Sequence, residues 1–323
     1  MLSIKKIGIL VSIAILFLAP VCAESRRSGF SISPTLGLLY GHAEEIVYKF
    51  PNRNLYLSEL LWDLKPLAYV GFTIDYGPRD PFLHNGFIAS FSFKYGLPFR
   101  TGILENRDWL NHSHNSLTHF SQHNAFSRGA FFADISAGYS WRQNNSLALR
   151  AYLEFSFMRL SWSGRDGFIQ YPPFDIFGNY PPWDSSLPRN YDGLTGEVIR
   201  YTQNWFILAP GISLKWKPAS KIMLLGNLNY SPLIYCYARD NHVLRDLTFH
   251  DYLFFGHYIK GSGELIFPLM ENVCLSFKLS YTRISGTRGD AYAGRTRFRQ
   301  GAGAAYSAFE MGLAARISFA GRY

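Results

Sequence analysis

The stretch FFADISAGYSW, Phe131 to Trp141, alternates without a break: Phe131, Ala133, Ile135, Ala137, Tyr139 and Trp141 against Phe132, Asp134, Ser136, Gly138 and Ser140. Successive side chains of a strand point to opposite faces, so this stretch has one apolar and one mostly polar side. A soluble sandwich alternates too. Here, though, the polar side is small or charged and the apolar side ends in aromatics, the pattern of a wall with lipid outside and a polar lumen inside. The chain's last long segment repeats it, with Phe309, Met311, Leu313, Ala315, Ile317 and Phe319 outward and Glu310, Gly312, Ala314, Arg316 and Ser318 inward.

Similar segments recur at roughly 29–48, 56–77, 86–101, 126–141, 147–165, 202–216, 221–240, 251–268, 272–288 and 304–319. An even strand number closes an antiparallel barrel with no exposed edge, which hydrocarbon would not tolerate. Aromatics at 17%, charged residues at only 17% and abundant glycine favour strands and tight turns over helices. Connections at Pro78 to Asn85, Arg142 to Ser146, Lys217 to Ser220 and Leu269 to Glu271 are short, whereas Thr101 to Ala125, Ser163 to Tyr201 and Ser285 to Gly303 are long. Short turns on one side and long loops on the other are the habit of an outer-membrane barrel. The expected fold is therefore all-β, a single transmembrane antiparallel β-barrel of about ten strands with long extracellular loops.

Met1 to Ala23 carries Lys5 and Lys6, an apolar run from Ile7 to Ala19 and the ending Val21-Cys22-Ala23, which together predict a signal peptide over 1–23 and a one-domain barrel over 24–323. Val21 makes a lipoprotein site at Cys22 a poor fit. The rest of the chain has no apolar window long enough for a membrane helix. A formal charge of +9 on an exported chain points to a solvated basic surface or to acidic lipid headgroups, and the address excludes nucleic acid as a partner. Cys236 and Cys274 fall on different predicted strands and are expected as two unpaired thiols.

Lys221 to His242, KIMLLGNLNYSPLIYCYARDNH, begins as a membrane strand and ends as a charged cluster. Ile222, Leu224, Leu228 and Tyr230 alternate with Asn227, Asn229 and Ser231, and the segment runs into Asp240-Asn241-His242. Aspartate and histidine two apart on an extended backbone share a face, so the carboxylate can orient the imidazole. Counted from Ile222 and Leu224, Asp240 has lipid-facing parity, so this assignment requires a bulge or twist, most simply at Pro232. Asp108, in Glu105-Asn106-Arg107-Asp108-Trp109, and Glu45 also fall at outer strand ends. A water between His242 and Asp108, activated by the histidine that Asp240 orients, would hydrolyse an amide without a covalent intermediate. The plainer alternative is that all of these are solvated residues at loop bases.

His112, His114, His119 and His123 raise the question of a metal, but no cysteine or fixed spacing supports one, so neither metal nor cofactor is expected. Ser121 with His123 suggests a nucleophile without a visible oxyanion hole. Both groups are taken as loop structure. Pro- and Tyr-rich Tyr171 to Tyr191 is expected as an external loop packed on itself.

The residues resemble the omptin family, ten-stranded outer-membrane aspartyl proteases. Gly41-His-Ala-Glu-Glu45-Ile-Val47-Tyr48 looks like the family's first strand and Ser58-Glu-Leu60-Leu-Trp62 like its second; Asp108-Trp109 and Asp240-Asn-His242 match the two halves of its active site, and Ser121-Gln-His123 resembles a Ser-x-His between them. The resemblance implies an Asp240–His242 dyad, Asp108 as one of a facing aspartate pair, and Asn106 in place of the other, with Glu105 as a carboxylate that would substitute. It implies that Glu45 receives a basic substrate side chain, while Ala238 stands where the family has a second acid. It implies a lipopolysaccharide contact at Arg159, with Asn204 and Phe157 where the family has a second arginine and an acid. An endopeptidase follows, cleaving proteins or peptides near basic residues, in contact with outer-membrane lipid, its active site on the extracellular side, acting as a monomer. Two rivals stand beside it: a catalytically silent barrel of the same descent serving as an adhesin, which Asn106 and Ala238 favour, and a small transport barrel, against which inward Lys94, Asp134, Arg150, Glu154 and Lys278 argue.

Overall fold

The computed structural model describes residues 28–52, 54–111, 115–219 and 221–319; the expected signal peptide over 1–23, as well as His112 and His114, lies outside them. Thirteen strand segments form one antiparallel sheet: β1 Ser28–Tyr48, β2 Tyr56–Pro78, β3 Gly86–Gly96, β4 Arg100–Asp108, β5 His119–Asn144, β6 Leu147–Gln170, β7 Tyr191–Ala219, β8 Ile222–Ser231, β9 Ile234–His242, β10 Leu247–Phe254, β11 His257–Met270, β12 Val273–Ala293 and β13 Thr296–Phe319. Three of the ten expected walls are each broken once. Both β3 and β4 pair with β2 and β5, both β8 and β9 pair with β7, and β11 and β10 continue one wall beside β12. The pairing of β1 with β13 closes a ring of ten. A closed ring leaves no edge strand, as a wall facing hydrocarbon requires.

The alternation read from the sequence is the alternation of the wall. On β13 Phe309 is 63% exposed and its neighbour Glu310 8%, and on β5 Ile135 faces out while Asp134 reaches inward. Outward apolar side chains form a band that includes Phe30 to Tyr40 on β1, Phe131 to Trp141 on β5, Phe206 to Trp216 on β7 and Phe309 to Phe319 on β13. Above it the exposed positions turn basic at Arg128, Arg159, Arg200, Arg239 and Arg283. Such a collar suits the border between hydrocarbon and headgroups, because long cationic side chains lay their stems on the apolar wall and hold their charge in water. The strands continue well above the collar.

Two of the long connections consist mostly of strand. The stretch Thr101 to Ala125 lies largely on β4 and β5, and Ser285 to Gly303 on β12 and β13, which meet in a turn at 294–295. Among the described residues of the three long connections, 171–190 remains a long loop; it packs partly on itself, Phe174 against Tyr180 with ring centroids 6.0 Å apart, and partly on neighbouring segments, where Trp183 Nε1 donates to Gln170 Oε1 at 3.3 Å and Tyr180 N to Asn111 Oδ1 at 2.8 Å. The short joints at 79–85, 145–146 and 271–272 lie at the opposite end.

Inside the band the lumen is crossed by ion pairs: Lys94–Glu310 at 2.7 Å, Lys260–Asp134 at 3.1 Å, Lys260–Glu154 at 3.2 Å and Arg316–Asp75 at 3.0 Å. Higher up, aromatic rings fill it. Trp62, Trp162 and Tyr201 form one cluster, with ring centroids 5.9 Å, 5.9 Å and 6.3 Å apart, and all three are almost completely buried. A lumen plugged at this level gives solutes no open path, which argues against the transport rival. Cys236 and Cys274 are free thiols.

Candidate active site

The required bulge is present, and it decides where the dyad points. On β8, Asn229 and Ser231 are buried while Leu228 and Tyr230 are about half exposed; on β9 it is the even positions Ile234, Cys236, Ala238 and Asp240 that are buried. The phase reverses across Pro232 and Leu233. Pro232 cannot donate to a ladder, and the freed groups are met locally: the Ser231 hydroxyl donates to the Leu208 carbonyl at 2.6 Å and accepts from Leu233 N at 2.8 Å. The neighbouring wall breaks at the same level, where Phe255 and Gly256 take φ of 59° and 138°, and Phe255 N donates to Ile234 O at 2.9 Å.

Asp240 therefore faces into the barrel, between Tyr201 of β7 and Phe249 of β10, and only 1% of it is exposed. Its Oδ2 lies 2.6 Å from Nε2 of His242, at the strand's end and nearer solvent. The Phe249 ring meets the imidazole edge-on, centroids 5.8 Å apart, which fixes its plane. Nδ1 carries no protein hydrogen bond among the described residues, so it is the nitrogen left to act as a base.

Asn106 and Asp108 share the inward face of β4 with Leu104. Ser58 Oγ donates to Asn106 Oδ1 at 3.1 Å, and Asn106 Nδ2 donates to Asp108 Oδ2 at 3.3 Å and to the Tyr171 hydroxyl oxygen at 3.2 Å. Burial pushes the Asp108 carboxyl up from its ordinary value, partly offset by Ser58 and Asn106 and by the charges of Arg245 and His242. The two halves of the expected site thus feel each other's charge across one mouth. Glu105 does not join them: it lies on the other face of β4, where Arg107 bridges it at 2.5 Å and reaches Glu59 at 3.4 Å. Strand alternation thereby removes it as a substitute for the missing aspartate.

Glu45 is inward on β1 and 4% exposed. The walls converge at this level, for Gln203 Nε2 of β7 donates across the lumen to the Glu44 carbonyl at 2.9 Å. Arg159 lies on the outer wall, in the collar, and donates to Asn204 Oδ1 at 3.3 Å. His119 and His123 are strand residues of β5, contrary to the loop expected for them. Ser121 and His123 are buried and linked at 3.2 Å, and His123 Nδ1 lies 2.5 Å from the Asp166 carbonyl. Ser121 is paired in register with Asn106 and shares the Tyr171 hydroxyl with it. The pair therefore backs the acid side of the mouth.

Sequence reasoning passed over three residues of this mouth. Tyr171 enters from the loop, and nothing periodic marks it. Arg245, in a short 3₁₀ turn at Val243–Arg245, lends its charge to Asp108. Asp251 is 3% exposed on β10 and sits opposite Ala238 in register. Its signal was available: in LTFHDYLF it is an acid at a position whose parity matches buried Leu253.

No curated protein matches the chain. Among solved structures it resembles the outer membrane protease OmpT from Escherichia coli, with a TM-score of 0.78 at 17% identity over 90% of this chain and 97% of that one. The translocator domain of the autotransporter NalP from Neisseria meningitidis (TM-score 0.36, 10% identity, 98% of each chain) and the toluene transporter TodX of Pseudomonas putida (TM-score 0.35, 8% identity, 91% of this chain and 90% of that one) are too distant in shape to carry an argument. The family model described as Omptin family matches residues 26–317. Together with a ring of ten strands, that match establishes the class of this outer-membrane barrel: the chain belongs to the omptin family.

Proposed function

We propose that the protein is an outer-membrane endopeptidase whose mouth faces the outside of the cell and which cleaves peptide bonds near basic residues. The observation that carries this reading is the 2.6 Å contact between Asp240 and His242 at a mouth whose other side presents Asp108. In the proposed step a water between His242 and Asp108 gives a proton to Nδ1 as its oxygen attacks the carbonyl carbon. The imidazolium, held by Asp240, then passes the proton to the leaving nitrogen as the C–N bond breaks, giving a carboxylic acid and an amine. Asp108 accepts the water's second hydrogen. Asn106 holds Asp108 in place, and its Oδ1 can accept one further hydrogen bond, but it cannot share a proton as a second carboxylate would. Glu45 provides negative charge for a basic side chain.

A second reading, a silent barrel that binds surfaces, draws on one observation: Tyr171 is hydrogen-bonded over the acid side of the mouth, and an amide stands in the acid pair. Protein refolded in detergent and supplied with lysine- or arginine-containing peptides separates the two. Cleavage that disappears in His242→Ala and falls in Asp240→Asn supports the peptidase; wild type as inert as both variants across a peptide library supports the silent barrel.

A further inference from the structure

At the Asp240 end of the dyad three carboxylates share one enclosed layer. Glu45 comes from β1, Asp240 from β9 and Asp251 from β10, and they are 4%, 1% and 3% exposed. The Glu45 carboxyl lies within hydrogen-bonding reach of that of Asp240. Oε2 of Glu45 and Oδ1 of Asp240 are buried without any hydrogen-bond donor, and among the described residues no lysine or arginine pairs with any of the three. Buried acids so arranged must take up protons or a cation. Burial first and the Asp240 charge second push Asp251 up to about 7, and burial with both neighbouring aspartates raises Glu45 as well. Protons thus hold the layer together when nothing else does.

The surroundings indicate what replaces them. Ala238, beside Asp251 in register, contributes only a methyl, as do Ala291, Ala302 and Ala304 on the next two walls. Tyr201, opposite Asp240 in register, supplies flat aromatic surface, against which a cation or its aliphatic stem packs well. Among the described residues no three donors have the spacing of a metal site. The arrangement fits a long organic cation with its head between acids and its stem among methyls and rings.

We propose that Asp251 and Glu45 together seat the lysine or arginine side chain of the substrate, with Asp251 the residue that sets the preference for a basic residue. This rests on the peptidase reading and adds to it an acid from a different strand, reaching the space that Ala238 leaves beside it. Arrival of the cation replaces the protons that Glu45 and Asp251 otherwise hold.

Two measurements test it. The first compares peptides that differ only in arginine or citrulline at the cleaved residue: Asp251→Asn is expected to lower the arginine-to-citrulline ratio of kcat/KM about tenfold or more, and Asp251→Glu to restore part of it. An unchanged ratio would overturn the proposal. The second needs no turnover: His242→Ala protein, its fold checked by circular dichroism, is titrated with benzamidine and followed by tryptophan emission. Saturable binding that weakens about tenfold on adding Asp251→Asn supports the seat, even if the chain proves to be no peptidase; absent binding, or binding indifferent to Asp251, rejects it. Loss of peptide cleavage in the wild type with benzamidine binding intact would sink the peptidase reading alone.

Discussion

The two halves of the lumen treat acidic residues in opposite ways. Within the apolar band Glu310, Asp134, Glu154 and Asp75 each touch a lysine or arginine. Above it, among the described residues, Glu45, Asp240 and Asp251 have only the imidazole of His242 as a basic partner. A buried charge without a partner costs far more than the pair it could have formed contributes. These four acids of the lower half are thus each matched by a basic side chain inside the chain. The upper half is left electrostatically open, and a layer kept that way at a cost in stability has the form of a binding site.

The sharpest way to break this contrast is at the dyad. His242→Ala should lower kcat by about 10²–10⁴-fold while the barrel still refolds, since the imidazole is at the mouth and carries little packing. Peptide hydrolysis within twofold of wild type would remove His242 from the chemistry. In the lower half the expected damage is structural. Lys260→Met strands Asp134 and Glu154 together and should cost roughly 3–5 kcal/mol, read as a lower urea midpoint, with the KM for peptide unchanged. A neutral effect there would mean that the lumen pairs are solvated after all.

The same kind of substitution should act with opposite sign above. The Asp251 carboxyl titrates higher in the folded chain than in the unfolded one. The folded state therefore holds the extra proton between the ordinary carboxylate range and about 7, and stability falls as pH rises through that window and levels off above it. Asp251→Asn should flatten this limb and raise the unfolding free energy at pH 8 by about 1–3 kcal/mol, read as a higher urea midpoint, with little change at pH 4. A midpoint that falls at both pH values would show that Asp251 is satisfied within the protein. The smallest effect is expected at Asn106. Asn106→Asp gives Asp108 a partner with which to share a proton and should raise kcat about tenfold at mildly acidic pH. No gain, or a loss, would mean that the amide is the working form.

The barrel was legible because a wall between lipid and water must alternate, and along Phe131 to Trp141 and Phe309 to Phe319 every outward position is apolar while most inward ones are small or polar. The Asp240–His242 pairing was legible for the same reason, and even the bulge it required could be placed, since proline is the residue that cannot stay in the ladder. What escaped had no local signature. Tyr171 reaches the mouth from a loop whose path depends on contacts with Asn111 and Gln170, and Asp251 acquires meaning only from cross-strand register with Ala238. The long connections were taken for loops because their outward residues are polar. Above the collar both faces of a strand can be polar, so the contrast that reveals a strand in lipid fades where the wall emerges into water.

The reversal at Pro232 and Leu233 uncouples the two halves. Because the slip in phase is absorbed there, the membrane portion can keep its oily exterior whatever the segment above it presents. Removing one residue at this joint would turn Asp240 outward and leave the bilayer-facing portion intact, so insertions and deletions at a single point suffice to re-aim the mouth of such a barrel while its anchorage is preserved.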